Sequence, residues 1–233
     1  MKFAITVLAF LLVGFSNVAL AQKSSLKLIA EVPLHFGIGY EGMVSKRFSA
    51  GGSIGVLTSP NSDLIIKYLE FIGTDERLVH LIDDAFQLGV VGELNFNYNF
   101  KRNYVGVFGQ VLGAQAGDAS VSIMEDYFKV NVNNYPRING SSGTERYLTI
   151  RTRLYQAGIL LGHRFPLKGR FEIDTELGLS GNVGSKSKIY SVNRDYSELS
   201  ERFDNSLDDF YKQYAFIPSF AVMLVYKFKK PEN

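Results

Sequence analysis

The sequence predicts an all-β fold: an eight-stranded antiparallel transmembrane β-barrel, a meander with helical segments in its long extracellular loops. Three observations carry this. Large apolar residues recur at every second position over runs far longer than the usual soluble strand of about 5 to 6 residues. Short basic connections alternate with long ones. A leader of the exported type opens the chain. In a strand, successive side chains face opposite ways, so a strict period of two means one apolar wall and one different wall.

The leader comes first. Lys2 is followed by the apolar stretch Phe3 to Phe15 and by the small-x-small site Ala19-Leu20-Ala21 before Gln22. This reads as a secretory signal peptide, residues 1–21, removed after Ala21, with a barrel domain over residues 22–233. The apolar stretch is shorter than the ~20 residues of a membrane span and has no basic stop-transfer flank. Composition agrees with an exported, folded product. Lys plus Arg number 25 against 23 Asp plus Glu, a net charge of +2, which gives no general attraction to nucleic acid. Hydrophobic residues make up 46% and charged residues 21%, so the chain has a surplus of apolar surface to place. Cys is absent, which excludes disulfides, thiolate metal sites, cysteine nucleophiles and an N-terminal lipid-modified Cys.

The strands follow in order. Ser25 to Val32 alternates Leu26, Leu28, Ala30 and Val32 with Lys27, Ile29 and Glu31, and Pro33 turns the chain. Leu34 to Ser45 carries Phe36, Ile38, Tyr40, Gly42 and Val44 on one face, and Phe48, Ala50, Gly52, Ile54 and Val56 form the next. The cleanest run is Phe86, Leu88, Val90, Gly92, Leu94, Phe96, Tyr98 and Phe100, opposed by Gln87, Gly89, Val91, Glu93, Asn95, Asn97 and Asn99. Tyr104 to Ala116 and Leu148 to Phe165 are less regular, and the apolar phase of the latter slips near Leu154-Tyr155, the mark of a bulge. Phe171 to Val183 and Phe216 to Phe228 complete the set. The short connections are Ser45-Lys46-Arg47, Lys101-Arg102-Asn103 and Pro166-Leu167-Lys168-Gly169; the long ones run about Thr58 to Ala85, Gly117 to Tyr147 and Gly184 to Tyr214. Short turns on one side and long loops on the other describe an outer-membrane barrel, and the even count of eight follows if the first strand rises from the mature N-terminus. Tyr104, Phe165, Phe171, Tyr226 and Phe228 suit interfacial girdles.

The repeated units Ser45-Lys46-Arg47-Phe48 and Phe100-Lys101-Arg102-Asn103-Tyr104, together with the last strand, resemble the small outer-membrane β-barrel proteins of Gram-negative bacteria, particularly the Bacteroidota type. That resemblance covers the whole mature chain. It implies location in the bacterial outer membrane and contact with outer-membrane lipids. It also implies that Phe220, Val222, Leu224, Tyr226 and Phe228 form the signal read by the barrel-assembly machinery, although family members often stop at the terminal aromatic and this chain continues to Asn233. It implies no catalytic residue.

Side chains fill the interior of an eight-stranded barrel. The candidate lumen charge network is Glu41, Glu93, Glu172, Asp174 and Glu176, with Arg151, Arg153, Arg164 and Lys27 as partners. Buried carboxylates without partners are costly, so a salt-bridged plug is expected. A proton- or ion-handling row or a narrow pore is the alternative, and paired carboxylates for hydrolysis a more remote one. The three histidines, His35, His80 and His163, form no Ser/His/acid set at fixed spacing and no metal cluster.

In the loops, Leu64, Ile65, Tyr68, Leu69 and Ile72 step at helical spacing before Gly73, and Thr74 opens a second piece. Residues 123–130 suggest a short helix. Tyr196, Leu199, Phe203, Leu207, Phe210 and Tyr214 step by three and four, an amphipathic helix. These helices either lid the barrel or present a surface, of which Tyr68, Leu69, Ile72, Tyr196, Leu199, Phe203, Leu207 and Phe210 are the candidates, to an unidentified protein partner. The sequence therefore points to a non-enzymatic integral outer-membrane protein with no cofactor, acting through its outer loops. A narrow passive channel, an accessory barrel of a secretion complex and, last, a lipid hydrolase are the alternatives.

Overall fold

The computed structural model describes residues 24–58, 61–71, 73, 76, 79, 89–138, 147–191, 193–214 and 216–228. Eight antiparallel strands close into a barrel in sequence order: β1 (Ser24–Val32), β2 (His35–Met43), β3 (Phe48–Leu57), β4 (Gly89–Phe100), β5 (Asn103–Ser120), β6 (Tyr147–Pro166), β7 (Phe171–Tyr190) and β8 (Phe216–Lys227). Closure is made by β8 on β1, with Leu224 opposite Leu28 and Tyr226 opposite Leu26. Three α-helices lie in the described parts of the long connections: α1 (Asn61–Phe71), α2 (Val121–Phe128) and α3 (Ser197–Tyr214). None of them is long and apolar enough to cross a membrane. The expected leader, the helix from Thr74 apart from Glu76 and Val79, the start of the cleanest run (Phe86 to Leu88) and the tail after Phe228 lie outside the described residues.

Alternation sorts the barrel wall. Leu28 is 59% exposed on the outside while its neighbour Lys27 is 5% exposed within. Val90, Leu94, Phe96, Val107, Ile159, Leu161, Leu177, Phe220 and Leu224 likewise face out. Near the short turns the outer wall is aromatic: Phe48 stacks on Phe96 at 5.4 Å, and Phe171 meets Tyr226 at 5.4 Å. The basic turns tie into this girdle, Arg47 donating to the Tyr98 hydroxyl (3.1 Å) and Arg170 to that of Tyr226 (3.2 Å).

The wall is uneven in height. β1 and β2 have nine residues each, whereas β6 and β7 have twenty. Two sequence expectations need correction here. β6 keeps one phase throughout, with Leu154 buried and Tyr155 facing out; the irregularity sits on β7, where Tyr155 pairs with Gly184 and Gln156 with Asn182, leaving Val183 as the extra residue. β7 also continues to Tyr190, well past Val183, because the bulge breaks the alternation without ending the strand.

Above the bulge the wall changes character. Leu148, Ile150, Leu154 and Ile189 point inward and are buried, while Arg151, Arg153, Lys186 and Lys188 point outward. A slip of the apolar set from one parity to the other in β6 is thus a reversal of polarity across a strand of constant register.

Candidate functional site

The interior holds a network of charged side chains. Lys27 of β1 donates to Glu41 of β2 (2.8 Å), and its ammonium lies 3.8 Å from Asp174 of β7. Arg164 of β6 donates to the other Glu41 oxygen at 2.9 Å and lies 3.7 Å from Asp174. β2 and β6 stand on opposite walls of an eight-stranded barrel, so the Glu41–Arg164 bond spans the lumen. Asn97 of β4 adds a further donor to Glu41. Tyr104 of β5, fully buried, lies under both cations, with the Arg164 guanidinium 4.7 Å and the Lys27 ammonium 5.7 Å from its ring centre, and its hydroxyl donates to Glu176 (2.9 Å). Glu172 pairs with Lys227 of β8 nearer the short turns. Glu93 accepts from Asn95 at 3.0 Å.

Two glycines make room for this. Tyr104 is opposite Gly162 and Phe108 opposite Gly158 across the β5–β6 ladder. A Cβ on Gly162 would overlap the Tyr104 ring, and one on Gly158 would stand 2.5 Å from that of Phe108. The rings lie flat on bare backbone, a cross-strand pairing that fills a narrow barrel without forcing its wall outward.

Glu41, Arg164 and Asp174 are thus brought together as the sequence suggests, and Glu172 and Glu176 face the same lumen. Arg151 and Arg153 do not join them. Their odd parity on β6 puts both on the outer wall, opposite in phase to Arg164. Tyr104 belongs to the lumen and not to a girdle, again by parity: its neighbour Val105 is the outward residue. Lys227 has the same odd parity as Met223 and Val225 and could have been found by extending the last strand one residue inward of its apolar set.

His35, 1% exposed, has its ring 3.2 Å from Glu31. His163 sits on the outer wall, bonded through Nδ1 to Asn103 (2.6 Å) beside Phe165. Among the described residues no serine hydroxyl meets either ring. His80 lies outside them.

The second site is the rim. Tyr196, Leu199 and Phe203, candidates either for packing in a lid or for an exposed surface, are buried at 2%, 0% and 1%. The helical stripe is consumed internally, and Tyr196 meets Tyr135 at 5.3 Å. Burial, with Glu198 nearby, raises the Tyr135 hydroxyl pKa above its usual value. The side chains of Tyr68, Leu69, Leu207 and Phe210, and residue Ile72, lie outside the described set.

α3 has a role that its apolar pattern does not reveal. β8 begins at Phe216, opposite Gly181, so residues 182–190 of β7 have no strand on that side. The side chains of α3 take its place. Asp208 accepts from the Ser185 backbone N–H (3.0 Å), Asp204 from that of Ser187 (2.5 Å), and the Ser200 hydroxyl from that of Ile189 (3.0 Å). Four helix residues rise about 6 Å and two strand residues about 6.8 Å, so the two ladders stay in step. An open strand edge is thereby closed without another strand. The loops on either side are tied by Arg194, which is buried and donates to the carbonyls of Asn133 (2.9 Å) and Tyr135 (2.7 Å).

No protein-family model matches the chain, and no curated protein is similar to it in sequence. Among solved structures, CarO2 and CarO of Acinetobacter baumannii are similar at 12% and 11% identity, with TM-scores of 0.36 and 0.37, over 88% and 90% of this chain and 98% and 99% of theirs. A major outer membrane protein of Thermus thermophilus is similar at 10% identity, with a TM-score of 0.42, over 88% of this chain and 99% of that one. At these values no role passes from those proteins to this one. The likeness to the Bacteroidota-type family rests on the turn and strand motifs alone.

Proposed function

We propose that the protein is a non-enzymatic integral outer-membrane barrel whose lumen is sealed and whose task is performed at its outer rim. The apolar outer wall supports membrane residence, since such a wall is stable only against hydrocarbon. The observation that carries the sealed lumen is the Glu41–Arg164 bond between opposite walls, flanked by Lys27, Asp174 and Tyr104. A conducting path would have to break it. On this reading the partners are outer-membrane lipids, the machinery that recognises β8 during assembly, and any protein that docks on the capped rim.

Reconstitution into planar bilayers tests this. Purified protein that migrates differently before and after boiling is inserted as a folded barrel. Such protein is expected to give no sustained conductance steps, whereas Arg164→Ala, which removes the cross-lumen bond, is expected to leak. Steady conductance by the unaltered protein, with ion selectivity that changes when Glu172, Asp174 and Glu176 are neutralised, would overturn the sealed reading in favour of a narrow passive channel.

A further inference from the structure

The outer wall of β6 and β7 carries a cationic ladder just where the apolar band ends. On β6 the outward residues from Phe165 up to Tyr155 are mostly apolar, and the next two are Arg153 and Arg151. Ten residues cover about 34 Å of strand, or roughly 25 Å of height at a tilt near 40°, the height of an apolar barrel band. On β7 the outward apolar set ends at Val183, and Lys186 and Lys188 follow.

The register places Arg153 directly opposite Lys186 and Arg151 directly opposite Lys188. Like charges so paired destabilise a sheet. Among the described residues no carboxylate lies within ion-pair distance of any of the four. Instead they line a groove of about 670 Å³ with Gln115 and Tyr190. Arg151 is held against the wall there, its Nε donating to Gln115 (2.9 Å) and its guanidinium 5.0 Å from the Tyr190 ring centre. The remaining N–H groups of the guanidinium are left to bind something else. The bulge at Val183 creates the arrangement: below it the even-numbered residues of β7 face the lumen, and above it Lys186 and Lys188 face out.

We infer that this ladder binds the phosphate of a lipid headgroup in the outer leaflet. A fixed guanidinium flanked by three further cations suits a phosphate with several acceptor oxygens. Its height sets it level with headgroups, while Tyr155 and Val183 beneath it face the acyl region. This inference rests on the membrane reading above.

Native mass spectrometry of the full-length mature protein from mixed micelles tests it. The probes are phosphatidic acid, with a phosphomonoester head, and phosphatidylcholine, with a zwitterionic one. The folded barrel is expected to retain phosphatidic acid at least about tenfold better, given the usual worth of several cations at an anionic surface. Replacing all four cations (R151Q, R153Q, K186Q, K188Q) is expected to abolish that preference, and the pair R151Q/K188Q to weaken it, while K46Q/R47Q at the opposite rim leaves it intact. Equal retention of both lipids by the unaltered barrel, or a preference that survives in the quadruple variant, overturns the inference. So does displacement of the lipid by millimolar inorganic phosphate, which would mark a site for soluble anions. Failure of the unaltered protein to enter bilayers would instead overturn the membrane reading, and this inference with it.

Discussion

Removing Asp204 and Asp208 together should loosen the rim without loosening the barrel. The two carboxylates serve the otherwise unpaired N–H groups of Ser187 and Ser185, and Asp208 also accepts from the Ser185 hydroxyl (3.0 Å). A hydrogen bond to a charged group contributes about 1.5 to 3 kcal/mol, and a part-buried donor left without a partner costs about as much. Two such losses on one helix do not add fully, so about 3 kcal/mol is the expected reduction in the local opening free energy for D204A/D208A. At 1.4 kcal/mol per factor of ten, that is roughly a 100-fold loss of protection. Amide hydrogen exchange of the barrel in detergent reads it directly. The amides of Ser185 and Ser187 should exchange roughly 100-fold faster, while those of Ala221 and Met223, deep in β8, keep their rates. The Asn pair should fall between, because an amide oxygen still accepts. Unchanged exchange at Ser185 and Ser187 would show that α3 does not hold the strand edge. An equal rise at Ala221 would show that it holds the whole barrel.

Two further expectations concern the lumen. Arg164→Ala leaves Glu41 and Asp174 facing each other with Lys27 alone between them; breaking a buried pair by removing one partner costs about 3 to 5 kcal/mol, and urea unfolding in detergent should show a loss of that order. Gly162→Ala drives a methyl into the Tyr104 ring, which should cost about 1 to 3 kcal/mol; because the ring must move, Tyr104→Leu in the same background should recover part of the loss. A Gly162→Ala barrel as stable as the parent would show that the ring moves at no cost.

Much of the barrel could be read from the chain because its wall is written in one variable, the parity of apolar residues. The β4 run from Val90 to Phe100 and the β8 run from Phe216 to Tyr226 needed no other information. Glu41, Arg164, Asp174 and Glu176 followed, since each stands at the lumen parity of its strand. Parity failed where the surroundings change along a strand. Arg151 and Arg153 looked like lumen partners because arginine on a membrane strand is expected to hide from lipid, yet these two face outward beyond the apolar band. Leu199 and Phe203 fit either packing or a free surface because a helix in an outer loop has no visible counterpart in sequence. Their actual counterpart is the stretch of β7 that outruns β8, which only the register of Gly181 with Phe216 reveals.

The same change of surroundings explains why one chain uses its cations in two opposite ways. Within the apolar band, Lys27, Arg164 and Lys227 face inward and each meets a carboxylate, because neither the narrow lumen nor lipid can leave a charge unpaired. Above the band, on the membrane reading proposed above, water and headgroups replace lipid outside, while the inward residues Leu148, Ile150, Leu154 and Ile189 are buried. There an inward lysine would lie among Leu148, Ile150 and Leu154, whereas an outward one is free to meet an anion. β6 meets this inversion by composition, changing which parity is apolar at Leu154-Tyr155 while its register stays fixed. β7 meets it by geometry: its charged residues stay at even positions from Glu172 to Lys188, and the extra Val183 turns the last of them outward. The two solutions place four cations at matching heights on neighbouring strands, Arg153 with Lys186 and Arg151 with Lys188. Composition alone could have set that height on each strand, but only the bulge brings the Lys186–Lys188 pair to the same side as Arg153 and Arg151. An insertion that serves merely to end a sheet would not need to restore pairing beyond it; this one is followed by seven more paired residues, Gly184 to Tyr190, which marks it as a device for aiming side chains.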